Sequence, residues 1–296
     1  MTVHTFVQAL ILGILTGGVY ALMSTGQTLV FGVMRVVNVA QGMLVILSAY
    51  LSYTVHQDLG IDPFLTLLIV MPVMFAVGVG IQLAFIRPVK RNASAAGFEQ
   101  TLLIMFALAV GIEGILDLVY TSEYRSITTS YANSSWIVGG YTLSVVRVLA
   151  FALAVVLLGA LWLVLNKTGF GRAVRATVQN PTAARLLGVD TERIGALGMG
   201  LGVSLAGASG AVFGLIYAFN ANSSYDLVSR LLSIIVLGGL GSVVGAVVGS
   251  LSLGVAEAVV ATVSPVWAPF TFLVVLMVVL LVRPQGIFGA VERGAL

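Results

Sequence analysis

Apolar residues along this chain fall into long runs. Six of them cover about residues 6–31, 39–55, 64–86, 101–120, 143–165 and 194–219. A helix needs roughly 20 apolar residues to cross a bilayer, so each run predicts a membrane span. A seventh apolar stretch, 227–282, is interrupted by Gly238-Gly239-Leu240-Gly241 and by Ser264-Pro265. Basic and polar residues gather in the gaps, including Arg87-Pro88-Val89-Lys90-Arg91, which reads as a loop.

Composition makes the bilayer reading compulsory. Of 296 residues, 59% are hydrophobic and 8% are charged, against about 25% charged in an average soluble domain. A soluble fold could not bury so much apolar surface. The fold class expected is an all-α polytopic membrane protein, one domain over residues 1–296. Met1 to Thr5 hold no Lys or Arg, so the first run lacks a signal-peptide n-region and stays as a span. With no Cys, and with His4 and His56 isolated from each other, neither a disulfide framework nor a metal site is expected. No triad or paired-acid arrangement supports catalysis. The two lysines, Lys90 and Lys167, do not complete a P-loop, so no nucleotide site is expected in this chain. The sequence pI is near 9.3 but the net charge is only +3, and the positive-inside rule explains the basic residues better than nucleic-acid binding does.

That rule also orients the chain. Segments 87–91, 167–193 and 283–293 hold ten of the fourteen Lys and Arg, and go inside. Segments 56–63 and 121–142 hold one, Arg125, and go outside; the aromatic residues Tyr124, Tyr131, Trp136 and Tyr141 suit an interfacial belt. The N-terminus is then outside and the C-terminus cytoplasmic. Parity demands an odd number of crossings between residue 225 and Arg283, and three fit only if one is short. About eight or nine spans are expected, with broken or re-entrant segments near 32–42 and 238–242.

Glycines at 34 positions often fall four apart: Gly13 and Gly17, Gly210 and Gly214, and Gly241, Gly245 and Gly249. Such spacing lets membrane helices approach closely, either within one chain or at a subunit interface. Acids inside the apolar runs are few. Glu113 and Asp117 share a face, and Glu257 lies near the end of the chain. Each suits a helix end or polar bundle interior, or a relay in an ion-coupled carrier.

The long inside segment carries a local signal. Asn180 is a good N-cap, Pro181 fits the first helical position and Gly188 suits a left-handed C′ residue. The helix between, about Pro181 to Leu187, is too short to stand alone. Its apolar Ala183, Ala184, Leu186 and Leu187 need a docking partner, either the protein's own spans or a groove on a cytoplasmic protein.

The string Gly171-Arg172-Ala173-Val174-Arg175 through Asn180-Pro181-Thr182-Ala183-Ala184-Arg185-Leu186-Leu187-Gly188-Val189-Asp190 resembles the coupling loop of branched-chain amino-acid ABC permeases of the LivH/LivM type. Residues 32–42, the block from Leu237 to Ala258 and Arg283-Pro284-Gln285-Gly286-Ile287-Phe288-Gly289 are similar to further motifs of that family, in order along the chain. The chain departs from the LivH pattern at Gln41 and Met43, where that type usually has His and often Glu. The resemblance implies a permease in a bacterial plasma membrane, paired with a second homologous permease, two ATPase subunits and an extracytoplasmic binding protein. It implies ATPase coupling through Arg172, Arg175, Asn180, Pro181, Ala184, Leu187 and Gly188, with Leu186 and Leu187 as the contacts and the arginines at the rim. It implies no cofactor in this chain and no enzymatic activity of its own. The expected cargo is a branched-chain or other small apolar amino acid, with urea or a short amide as alternative. Broken helices expose backbone dipoles where they line a cavity, so Asn38, Gln41, Gly42, Gly238, Gly239, Gly241 and Ser242 are expected along the translocation path.

Overall fold

The computed structural model describes residues 3–92, 97–132, 134–283 and 286–288, without the side chains of 90–92 and 97–98. Two long helices form its centre, α1 (Val3–Met34) and α9 (Thr191–Ile216), buried over most of their length. Both are rich in Gly, Ala, Ser and Thr, which allows the backbones of their neighbours to come close. On α1 lie α11 (Val243–Val263) and α6 (Val145–Lys167); on α9 lie α2 (Gln41–Leu59) and α3 (Pro63–Ile81). The α1–α11 seam is close: a Cβ on Gly13 would stand 2.6 Å from the Cα of Val255, and one on Gly17 would stand 2.9 Å from that of Leu251. Gly210 presses on Val45 and Ser48 of α2 in the same way. These pairs are therefore used for packing inside the chain. Gly241 is different. It sits in a turn with a φ of 84°, so it does not share a helix face with Gly245 and Gly249.

Among the described residues, six helices are long and apolar enough to cross a membrane: Val3–Met34, Pro63–Val89, Glu99–Tyr120, Val145–Lys167, Thr191–Ile216 and Val243–Val263. The expected eight or nine spans also counted α2, α10 (Ser223–Gly238) and the segment Ala268–Val282, which ends in α12 (Thr271–Val282). Gln41, His56, Gln57 and Asp58 make α2 too polar for that measure, and the other two are 16 and 15 residues long. The helices break where expected, at 35–40 between α1 and α2 and at 239–242 between α10 and α11.

One expectation is corrected. Residues 87–91 are not a loop. The helix continues past Ile81 through a π-helical turn, Gln82–Ile86, into α4 (Arg87–Asn92). A wider turn there relieves the clash between the Pro88 ring and the carbonyl four residues before it. The bundle is all-α apart from a short loop hairpin, in which β1 (Ser135–Val138) and β2 (Tyr141–Ser144) pair with Val138 opposite Tyr141, turned by Gly139 and Gly140 at positive φ. The inside segment also holds an unexpected helix, α7 (Gly169–Gln179), before α8 (Pro181–Leu186).

Two ends of the bundle can be told apart by contact. At one, the hairpin end, the His4 ring stacks on Tyr141, His56 meets the carbonyl of Thr128, and Arg125 exchanges backbone hydrogen bonds with Phe219. At the other, the basic end, Arg87 pairs with Glu192 at 2.7 Å. There the backbone N–H groups of Ile287 and Phe288 donate to the carbonyls of Leu237 and Gly238 at 2.8 and 3.1 Å, satisfying the free end of α10. Of the terminal motif, Pro284, Gln285 and Gly289 lie outside the described residues. The remaining long helix, α5 (Gly97–Tyr120), lies on the outside of the bundle with Leu103, Ile115 and Leu118 exposed.

Candidate functional site

A cavity of about 760 Å³ enters the bundle from the hairpin end between α1, α9, α10 and α11. Its apolar walls include Leu12, Phe213 and Leu227, as expected of a ligand cavity, and its polar groups come from Gln8, Tyr124, Asn220 and Asn222. At its side lies a charged cluster. Arg230 of α10 pairs with Glu257 of α11, with both side chains close to nine-tenths buried. The Tyr20 hydroxyl of α1 donates to Glu257 Oε2 at 2.9 Å and accepts from Arg230 Nη1 at 3.0 Å. Arg230 Nε donates to Asp226 one turn earlier at 2.9 Å, and the guanidinium lies 5.5 Å from the Phe272 ring centroid of α12. One cation thus holds four helices together and is neutralised inside the apolar bundle, where an unpaired charge would be expensive. A second cation, Arg147 of α6, lines the same cavity with a 3.4 Å hydrogen bond to Thr16.

At the basic end, local rules build α8. The Asn180 carboxamide oxygen accepts from the N–H groups of Thr182 and Ala183, both at 3.0 Å. Pro181 opens the helix and Gly188, at a φ of 83°, closes it by donating to Arg185 O at 3.0 Å, the left-handed stop that favours glycine. Ala184 faces inward and is buried; Leu186 and Leu187 point away, 85% and 83% exposed. Behind them α7 buries Gly171, Val174 and Thr177 against the bundle, started by a Thr168 cap. Arg172 and Arg175 are both exposed, and Arg175 donates to the Leu165 carbonyl at the end of α6.

The family described as branched-chain amino acid transport system / permease component matches residues 9–282. The chain belongs to this family. It is 30% identical to the high-affinity branched-chain amino acid transport system permease protein LivH of Salmonella typhimurium, over 97% of this chain and 96% of that one. It is 28% identical to the permease protein BraD of the corresponding Pseudomonas aeruginosa system, over 98% of each. The probable branched-chain amino acid transport permease protein LivH of Methanocaldococcus jannaschii is also 28% identical, over 93% of this chain. No solved structure matches. With its apolar helices, this makes the permease a multi-pass membrane protein.

The permease does not bring its sequence-expected path residues to the large cavity. Asn38 and Gln41 are buried at the α1–α2 break and face each other, with Asn38 Nδ2 donating to Gln41 Oε1 at 2.9 Å and Gln41 Nε2 to Gly202 O at 3.3 Å. Gly42 packs on Ser224 and Val228, and Gly238 on Gly245. The Ser242 hydroxyl accepts from Gly245 N–H, and Gly239 and Gly241 supply the positive-φ turn before it. Several buried polar atoms along this inner layer have no hydrogen-bond partner among the described residues: Thr25 Oγ1, Gln27 Oε1, Thr28 Oγ1 and Asn38 Oδ1. Of the acids, Glu257 is in the charged cluster, and Glu113 accepts from the Tyr225 hydroxyl at 2.6 Å at the outer edge of α10. Sequence reasoning missed Arg230, Asp226, Arg147 and Tyr20. The signal was present for two of them: Asp226 and Arg230 stand four apart, helical ion-pair spacing, in a segment needed as a span.

Proposed function

We propose that this permease is the membrane subunit of an ATP-binding-cassette importer that moves branched-chain or other small apolar amino acids with energy from partner ATPases. The observation that carries the importer reading is α8, a capped short helix at the basic end that presents Leu186 and Leu187 to solvent. Two leucines side by side on a rigid tip are poor surface chemistry unless a groove covers them. The basic end is cytoplasmic in this reading, the N-terminus lies outside, and the hairpin end faces an extracytoplasmic binding protein. A second homologous permease completes the membrane portion, and the protein resides in a bacterial plasma membrane.

Cargo enters through the 760 Å³ cavity, whose apolar walls suit an aliphatic side chain and whose Arg147 suits a carboxylate. The inner layer around Gln27, Asn38 and Gln41 is the closed part of the route. Each unpartnered buried polar atom there costs about 1–3 kcal/mol, a cost relieved when the layer opens to water or cargo. A solitary ion-coupled carrier would need a free acid relay, and Glu257 is instead bound to Arg230 and Tyr20.

Leu187→Asp tests the coupling. The helix caps do not involve this side chain, so the variant should fold and reach the membrane. Expected is loss of ATP-dependent leucine uptake in proteoliposomes of the whole complex, with the ATPase subunits released on gentle purification. Normal uptake with the subunits retained would refute it.

A further inference from the structure

A second cavity, of about 460 Å³, opens at the basic end between the transmembrane core and the α7–α8 segment. Arg35, Gln82 and Arg87 line its core wall, and Arg185, Thr191 and Glu192 the other. Three guanidinium groups and one carboxylate line it, an excess of two positive charges. The carboxylate, Glu192, is taken by Arg87 at 2.7 Å. Arg185 spends only Nε, on the Thr191 hydroxyl at 2.8 Å, which leaves its terminal nitrogens for a ligand. Nearby, Asp190 is matched by Arg193 at 2.8 Å and adds no net charge. Arg35 is held beside the cavity in a left-handed conformation, φ 52°, that side chains other than glycine adopt at a cost.

Gln82 supplies an independent observation. It is 95% buried, it lines this cavity, and its Oε1 has no hydrogen-bond partner among the described residues. Buried amides in native proteins are normally satisfied. An amide can face either way, so Gln82 can donate to an anion or accept from a protonated oxygen.

We infer that this cavity binds a phosphate-class oxyanion, held by Arg35 and Arg185 in bidentate fashion with Gln82 at its base. The excess of two positive charges matches a phosphate group, and Arg forks fit its tetrahedral oxygens. A bound phosphate would join α8 to the end of α1, and so tie the exposed leucine tip to the core. The chemistry is shared by a free phosphate and by the headgroup of an anionic phospholipid, since basic pockets between helices at a membrane surface take such headgroups.

The test uses the full-length permease, delipidated in detergent and then reconstituted in nanodiscs. Calorimetric titration with inorganic phosphate probes the free source; native mass spectrometry after exposure to phosphatidylglycerol or phosphatidylcholine probes the lipid. Expected is saturable binding of one phosphate, or retention of one phosphatidylglycerol in preference to phosphatidylcholine, weakened at least tenfold in both Arg35→Gln and Arg185→Gln. Lys167→Gln, the same charge change outside the cavity, should bind as the parent does. Gln82→Leu, which replaces an unpartnered amide by an apolar group and so should fold, should also weaken binding. Binding in either arm that both arginine variants weaken supports the site and identifies its source; binding that they leave unchanged overturns it. No binding in both arms, or equal loss in Lys167→Gln, overturns it. Neither result depends on uptake, so the importer reading stands or falls separately.

Discussion

Replacing Glu257 by Gln keeps the shape of the side chain but removes its charge. Arg230 would then keep Asp226 and the Tyr20 hydroxyl as polar partners. The Asp226 side chain is 55% exposed, against 12% for Glu257, so its attraction is largely screened by water. Pairs of that exposed kind are worth about 0–1 kcal/mol. Breaking a buried pair by removing one partner costs about 3–5 kcal/mol, because it strands the remaining charge. With Asp226 giving back part of this, Glu257→Gln should destabilise the permease by about 3 kcal/mol. Arg230→Met with Glu257→Leu should recover to within about 1 kcal/mol of the parent, since apolar replacement of a whole buried pair is often neutral. The assay is unfolding of purified protein by SDS titration, with the two single variants and the double variant closing a cycle. A cost below about 1 kcal/mol for Glu257→Gln would refute the reasoning, because it would mean that cavity water already screens the pair.

Two further outcomes follow from the geometry. A Cβ on Gly254 would stand 2.5 Å from Gly13 O and 2.8 Å from Gly17 Cα, all backbone, so Gly254→Ala should cost about 1–3 kcal/mol or more by overpacking. Gly111→Ala, with nothing within 4 Å, should leave the folded yield in size-exclusion profiles unchanged; equal yields for the two variants would contradict the seam. Tyr131, in the loop beside the hairpin, is held above the ordinary tyrosine range by burial and then by its 2.6 Å hydrogen bond to Asp62. The folded protein therefore keeps a proton that the unfolded chain begins to lose near pH 10. That contribution is complete below about pH 10 and is lost as pH rises further. Tyr131→Phe should make the alkaline limb of thermal stability shallower between about pH 9 and 11.5, and an unchanged slope would count against it.

The linear order of apolar runs was enough to announce a membrane protein with helix breaks near Arg35 and Gly239, because a bilayer imposes a length on each span that no local choice can evade. Asn180, Pro181 and Gly188 were equally legible: capping is an affair of neighbouring backbone groups, satisfied within four residues. Other features needed three dimensions. Arg230 became a buried cation only when Glu257, 27 residues on, and Tyr20, 210 residues before, came to meet it. Arg147 and Tyr20 carry no local mark that they share a cavity, since nothing in their own segments points to each other. Asn38 and Gln41 were legible as polar groups in an apolar context, but packing decided that they face each other and Gly202. Periodicity and caps are short-range properties written into the chain; which charges pair, which polar atoms go unpartnered and where space remains are decided by contacts between distant helices.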